Sequence, residues 1–317
     1  MRLVSYVRDA QVRVGAVRKD KVVDLFDATA HHQRVLPMDM LELLALGGGG
    51  MELAAEVVER ADLDAHYCTA LEGARLVAPI PRPTSLRDGY AFRQHVETAR
   101  RNRGLEMIPE FDQFPVFYFS NHNAVFGPGP VRVRKRHLER LDFELECAVV
   151  IGKPGRDIAA EHADEHIAGH MIMNDLSARA LQMEEMKLSL GPAKGKDFGT
   201  VIGPWLVTRD ELESRRRPGP KGDRYDLEMK ASINGKQVSR DTLANMNWTF
   251  AQIIERASYG VDLFAGDVIG SGTCGTGCLL ELNGSGITRD QWLKPGDRVE
   301  LTVDLLGSLA TEFVLAE

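Results

Sequence analysis

In LDFELECAVVIG, Asp142, Glu144 and Glu146 alternate with Phe143, Leu145 and Cys147, after which the run becomes wholly apolar. A β-strand repeats every two residues, so the three carboxylates share one face while the strand enters the core. Like charges gathered at the mouth of a buried strand are costly unless a cation neutralises them. All-oxygen ligands select a hard divalent ion, Mg²⁺, Mn²⁺ or Ca²⁺. The same spacing fits the solvated face of an edge strand equally well. A further acid arrives in MIMNDLSARALQ, where an apolar run stops at Asn174-Asp175 and helical character follows. Asp175 is therefore either a helix N-cap or a ligand presented from a strand end. Asp88, Tyr90, Arg93 and His95 crowd together in SLRDGYAFRQHVETA, the polar density of a binding loop.

The elements that must position these groups are mostly strands. LVSYVR, VRVGAVRK and KVVDL read as short strands, with Gly15 and Lys19-Asp20-Lys21 as turns. Leu41 to Arg60 has helical spacing interrupted by Gly47 to Gly50, which predicts two helices joined by a glycine loop. Pro79, Pro81 and Pro83 force an extended path and place a domain boundary near residue 80, giving a small α+β domain over 1–80 and a larger one over 81–317. Beyond it strands outnumber helices without alternating regularly, so the fold class is α+β with a β-rich mixed sandwich or roll, not a doubly wound parallel sheet. Helical spacing returns over Ala160 to His170, Ser177 to Leu188 and Trp248 to Tyr259, and Asn234-Gly235 signals a two-residue hairpin. His162, His166 and His170 stand four apart, which would stack them on one face of an exposed helix.

A net charge of −7 argues against nucleic-acid binding, and no apolar run is long enough to cross a membrane. The N-terminus lacks the apolar core of a signal peptide, which with four scattered cysteines predicts a cytosolic chain with reduced thiols. Cys274 and Cys278 in GTCGTGC lack a second cysteine pair or a nearby histidine to complete a zinc site.

Five motifs in order, D-x-Y-x-x-R-Q-H at Asp88 to His95, E-L-E at Glu144 to Glu146, N-D-x-S-A-R at Asn174 to Arg179, G-K-D-F-G-T at Gly195 to Thr200 and G-S-G-T at Gly270 to Thr273, resemble the fumarylacetoacetate hydrolase family. The resemblance implies one divalent cation, Mg²⁺ before Mn²⁺ or Ca²⁺, held by Glu144, Glu146 and Asp175, with Asp88 as an additional carboxylate. It implies His95 as general base oriented by Glu281, Lys196 and Gln182 facing a developing oxyanion, and Tyr90, Arg179 and Thr273 lining the substrate site. Asp142 would support the ligands from behind. The substrate would be a small oxo acid and the assembly a homodimer. The implied reaction is hydrolysis of a C–C bond in a 1,3-diketone-type acid; the alternative is decarboxylation or tautomerisation of a 2-oxo acid on the same metal site. A binding protein without catalysis fits poorly, since every candidate polar group is present. Two positions depart from the family pattern. The interval that leads from the histidine to a carboxylate-gripping arginine lands on Gly104, just after Arg100, Arg101 and Arg103, and the segment P-V-G-Y-H-G-R becomes PVFYFSNHN.

Overall fold

The computed structural model describes residues 1–31 and 33–316. Its centre is a mixed twelve-stranded sheet facing a smaller five-stranded one. The Leu145–Ile151 strand lies inside the large sheet, paired with Ile167–Asp175 on one side and Val268–Gly270 on the other. Burial on both faces explains its continuous apolar sequence. Cys147, Val149 and Ile151 pack towards the five-stranded sheet, against residues such as Leu301 and Phe313. Ala148 and Val150 point the other way, into a core shared with Leu43, Leu44 and Val58 of the N-terminal helices. The α+β, β-rich class read from the sequence is the class observed.

The large sheet runs across the proline-rich stretch near residue 80. Arg2–Arg8 pairs with Gln11–Arg18 along its whole length, and also with Thr200–Thr208 through Arg2↔Val207 and Leu3↔Leu206. The predicted hairpin forms at Asn234-Gly235, where φ is 51° and 79°, between Glu228–Ile233 and Lys236–Thr242. Positive φ at both central residues is what this turn requires.

Local readings are corrected at three places. Gly15 is not a turn but a mid-strand residue; a Cβ there would lie 2.8 Å from Val23 O, and the chain reverses instead at Asp9-Ala10, where φ is 50° and 61°. Gly47 to Gly50 are not a loop: they open the Gly47–Arg60 helix, which Leu46 joins directly to Met40–Ala45. Tertiary packing of Ala54, Val57 and Val58 outweighs glycine's poor helix propensity. Finally, His162, His166 and His170 do not share a helix. The helix stops after one turn at Ala160–Ala163, a 3₁₀ turn covers Asp164–His166, and His170 lies fully buried in the Ile167–Asp175 strand. Pairing with Leu145–Ile151 overrides the helical spacing.

Candidate active site

Neighbouring strands of the large sheet deliver the acidic residues to one place. Leu86–Gly89 carries Asp88 and runs parallel to Val268–Gly270, with Gly270 opposite Asp88. Leu145–Ile151 carries Glu146, with Glu144 just before it, and Ile167–Asp175 ends on Asp175. Asp175 is thus presented from a strand end, and the N-cap alternative falls away: the following helix begins at Arg179 without a side-chain cap. The solvated-face alternative for Glu144 and Glu146 falls away as well, since Asp88, Glu144, Glu146 and Asp175 are all buried. Glycine makes the close approach possible. A Cβ on Gly270 would collide with Asp88 Oδ1, and Gly272, at φ 77°, donates its N–H to the same oxygen at 3.1 Å.

One carboxylate oxygen each of Asp88, Glu144 and Glu146 lies within 4.8 Å of the others. Lys196 Nζ donates to Glu144 Oε2 and, at 2.6 Å, to Asp175 Oδ2, which also accepts from the Tyr118 hydroxyl. Arg179 donates to Glu144 Oε1 at 2.7 Å and to Asp142 Oδ2 at 2.9 Å. Five carboxylates, Asp88, Asp142, Glu144, Glu146 and Asp175, therefore share two cations. The imbalance is uneven. Burial opposes ionisation of Glu144, but Lys196 and Arg179 outweigh it and hold that carboxyl well below its ordinary range. Burial, and then the Asp175 charge, push Asp88 up to about 7, while burial with the Asp88 and Glu144 charges pushes Glu146 well up. Glu146 Oε2 and Asp175 Oδ1 are buried with no hydrogen-bond partner among the described residues. An all-oxygen set with surplus negative charge and two orphaned oxygens fits a hard divalent cation.

The second half of the site comes from two helices. His95 stands in the first turn of Arg93–Arg101 and Glu281 in the first turn of Leu279–Gly284. His95 Nδ1–H donates to Glu281 Oε2 at 2.7 Å, and the Tyr90 ring meets the imidazole edge-on at 5.9 Å. Fixing Nδ1 as the protonated nitrogen leaves Nε2 as an acceptor.

Asp88 and Glu144 of the cluster and the His95–Glu281 pair face one cavity of about 850 Å³. Asp88, Glu144, Tyr90, His95, Arg179, Gln182, Lys196, Thr273 and Glu281 all line it. Glu146 and Asp175 stand behind that wall; Thr273 Oγ1 reaches Glu146 Oε1 at 3.4 Å. Gln182 Oε1 accepts from Arg179 Nη1 at 3.0 Å. Asp142 does not reach the cavity wall and instead binds Arg179 and backbone N–H groups. Of the three arginines near Gly104, Arg100 and Arg103 line the cavity and Arg101 does not. Sequence reasoning missed Tyr118, the polar member of the aromatic Phe117–Phe119 strand, although Asp88 is its direct cross-strand partner. It also missed Arg140, which lines the cavity from the end of the His137–Arg140 turn.

A family profile described as fumarylacetoacetate (FAA) hydrolase C-terminal matches residues 84–314. The chain is 29% identical over 312 residues to an oxaloacetate tautomerase of Bacillus subtilis, covering 94% of this chain and 95% of that protein. Identity to human fumarylacetoacetase is 27% over 369 residues, covering 93% and 88% of the two chains. A solved structure of a probable 2-hydroxyhepta-2,4-diene-1,7-dioate isomerase from Mycobacterium abscessus matches with a TM-score of 0.71 at 26% identity, over 100% of this chain and 98% of that one.

Proposed function

The chain belongs to the fumarylacetoacetate hydrolase family, and we propose that it is a divalent-metal-dependent enzyme hydrolysing a carbon–carbon bond in a 1,3-diketone-type acid of the acylpyruvate or fumarylacetoacetate class. The observation that carries this reading is the His95–Glu281 pair facing the carboxylate cluster across one cavity. Asp88, Glu144, Glu146 and Asp175 would hold the cation, which when bound supplies Lewis-acid polarisation of a substrate carbonyl. His95 Nε2 takes a proton from water as its oxygen joins the acyl carbon. Glu281 keeps the imidazole in the tautomer that can accept that proton. The C–C bond then breaks with its electron pair leaving on the enol fragment, and His95 returns the proton to it. Lys196, and the amide N–H₂ of Gln182 left over by its bond to Arg179, face the cavity where negative charge develops.

Arg100, Arg103 and Arg140 line the same cavity and, among the described residues, have no acidic partner within 4 Å. Val96, Ile108, Val116, Phe117, Met183 and Met186 supply apolar wall. Such walls suit a substrate with an extended carbon skeleton and a second carboxylate for the arginines. A panel of acylpyruvates, fumarylacetoacetate and oxaloacetate, assayed by product with and without chelator, tests the reading. Release of two acids, abolished by chelation and restored by Mg²⁺ or Mn²⁺, is the expected result.

The second reading, tautomerisation of an oxaloacetate-type acid, is favoured by the near full-length likeness to the Bacillus subtilis tautomerase. It needs proton transfer by His95 but no water nucleophile. Enol–keto interconversion without C–C cleavage on that panel would select it.

A further inference from the structure

We infer that His95, Cys278 and Glu281 form a second, inhibitory metal site that takes a borderline-soft cation, Zn²⁺ or Co²⁺, at the base itself. One donor atom of each residue lies within 4.8 Å of the others. His95 and Glu281 open onto the cavity, and Cys278 closes the site from behind as a wholly buried free thiol. Its backbone is fixed, because Cys278 directly precedes the Leu279–Gly284 helix whose first N–H groups are held by Asp142.

A tetrahedral zinc ion, with bonds of about 2.0–2.3 Å, needs ligand separations of roughly 3.3–3.8 Å, so side-chain rotations that move the donor atoms by about 1 to 1.5 Å at most complete three ligands. The fourth position faces the cavity and takes water. Binding forms a Zn–S bond and releases the Cys278 thiol proton to solvent; no electron transfer is involved. Thiolate, imidazole and carboxylate together prefer Zn²⁺ or Co²⁺, whereas the all-oxygen cluster of Asp88, Glu144, Glu146 and Asp175 prefers Mg²⁺ or Mn²⁺. The two sites thus sort metals by softness. Metal on either ring nitrogen of His95 stops it acting as a base: on Nε2 it occupies the accepting lone pair, and on Nδ1 it leaves the proton on Nε2. The inhibitory consequence rests on the proposed role of His95, whereas the binding site does not.

Binding is read without turnover by saturating the protein with Mg²⁺ and adding Co²⁺ as probe. A thiolate-to-cobalt charge-transfer band is expected in the wild type, removed by Zn²⁺ and absent in Cys278→Ser. Serine is a good helix N-cap, so that variant keeps its fold; Cys278→Ala, checked by circular dichroism, is the second variant. In turnover assays Zn²⁺ should inhibit the wild type at concentrations at least roughly 10-fold lower than it inhibits Cys278→Ser, since losing even a supporting partner costs 10- to 100-fold in affinity. No thiolate band in the wild type, or a band that persists in both variants, overturns the site. Equal zinc sensitivity of wild type and Cys278→Ser overturns the inhibitory role. A chain that turns over no substrate on the panel but shows the Cys278-dependent band keeps the site and loses only the hydrolase reading.

Discussion

Asp142 and Arg179 join the two halves of the active site. Arg179 Nε donates to Asp142 Oδ2 at 2.9 Å, and the Asp142 carboxylate also accepts the N–H groups of Leu279 and Leu280 at 2.7 and 3.0 Å. Arg179 in turn grips Glu144, while Leu279 opens the helix that carries Glu281. One carboxylate therefore fixes a candidate metal ligand and the hydrogen-bond partner of His95. Asp142→Ala leaves a buried guanidinium short of a partner, and breaking such a pair costs about 3–5 kcal/mol. Urea denaturation should show that loss. Asp142→Asn should keep more of the fold yet lower both metal affinity and turnover.

His95→Ala and Glu146→Gln should fail differently. Imidazole is not a ligand of the carboxylate cluster, so His95→Ala should stay metal-replete by direct metal analysis while hydrolysis drops roughly 10² to 10⁴-fold, the usual contribution of a positioned base. A metal-replete His95→Ala protein that cleaves substrate at the wild-type rate removes His95 from the reaction.

Glu146→Gln tests the charge surplus. The amide keeps the shape and replaces a carboxyl that burial first, and then the Asp88 and Glu144 charges, push well up in the metal-free protein. Without metal the variant should melt at or above the wild-type temperature. With Mn²⁺ the wild type should gain about 2.7 kcal/mol at a hundredfold excess over Kd, and the variant should gain little. Differential scanning calorimetry with and without Mn²⁺ reads both effects.

Arg140 and Arg103 should govern selection between dicarboxylic and monocarboxylic substrates. Arg140→Ala or Arg103→Ala should raise KM for a dicarboxylic substrate about tenfold or more, in line with loss of a charge-assisted hydrogen bond of roughly 1.5–3 kcal/mol. KM for a monocarboxylic acylpyruvate should hardly change. Steady-state kinetics on the matched pair decide it.

His170 makes stability pH-dependent. Burial first, and then the Arg209 charge, push its imidazole down to about 3, and neither ring nitrogen has a hydrogen-bond partner among the described residues. The folded protein therefore keeps His170 neutral where the unfolded chain takes up a proton, below about 6.5. Its contribution is fully present above about pH 6.5 and is lost as pH falls towards 3, by about 2 kcal/mol at pH 5. His170→Phe, which can pack between Tyr225 and Phe250, should flatten this part of the acid limb. Denaturant midpoints at pH 7 and pH 5 for both proteins measure the difference.

What the sequence disclosed was whatever local spacing encodes. The alternation through Glu144 and Glu146, the strand end at Asp175 and the Asn234-Gly235 turn are set by residues adjacent in the chain. The histidines from His162 to His170 misled because their spacing runs across three elements, a helical turn, a 3₁₀ turn and a strand whose hydrogen bonds the neighbouring strands supply. Cys278 lies 183 positions after His95, so the two meet only through tertiary structure. Tyr118 and Arg140 are obscured for a related reason: nothing in their own segments shows that Tyr118 pairs across from Asp88 or that Arg140 reaches the cavity.

The pairing of Arg2–Arg8 with Thr200–Thr208 has a consequence for how the chain is made. Tyr6 and Val7 find Leu76 and Arg75 early, but the edge at Arg2 and Leu3 must wait for Val207 and Leu206. At about 5–20 residues per second, a ribosome needs roughly 10–40 s to supply them. Throughout that interval the newborn hairpin carries an open β-edge beside the apolar residues Leu3 and Val4, a surface that favours chaperone capture or mispairing between neighbouring nascent chains. Closure of this edge therefore follows emergence of Thr200–Thr208, and a synonymous-codon slowdown before residue 200 would lengthen the vulnerable period without altering one atom of the finished protein.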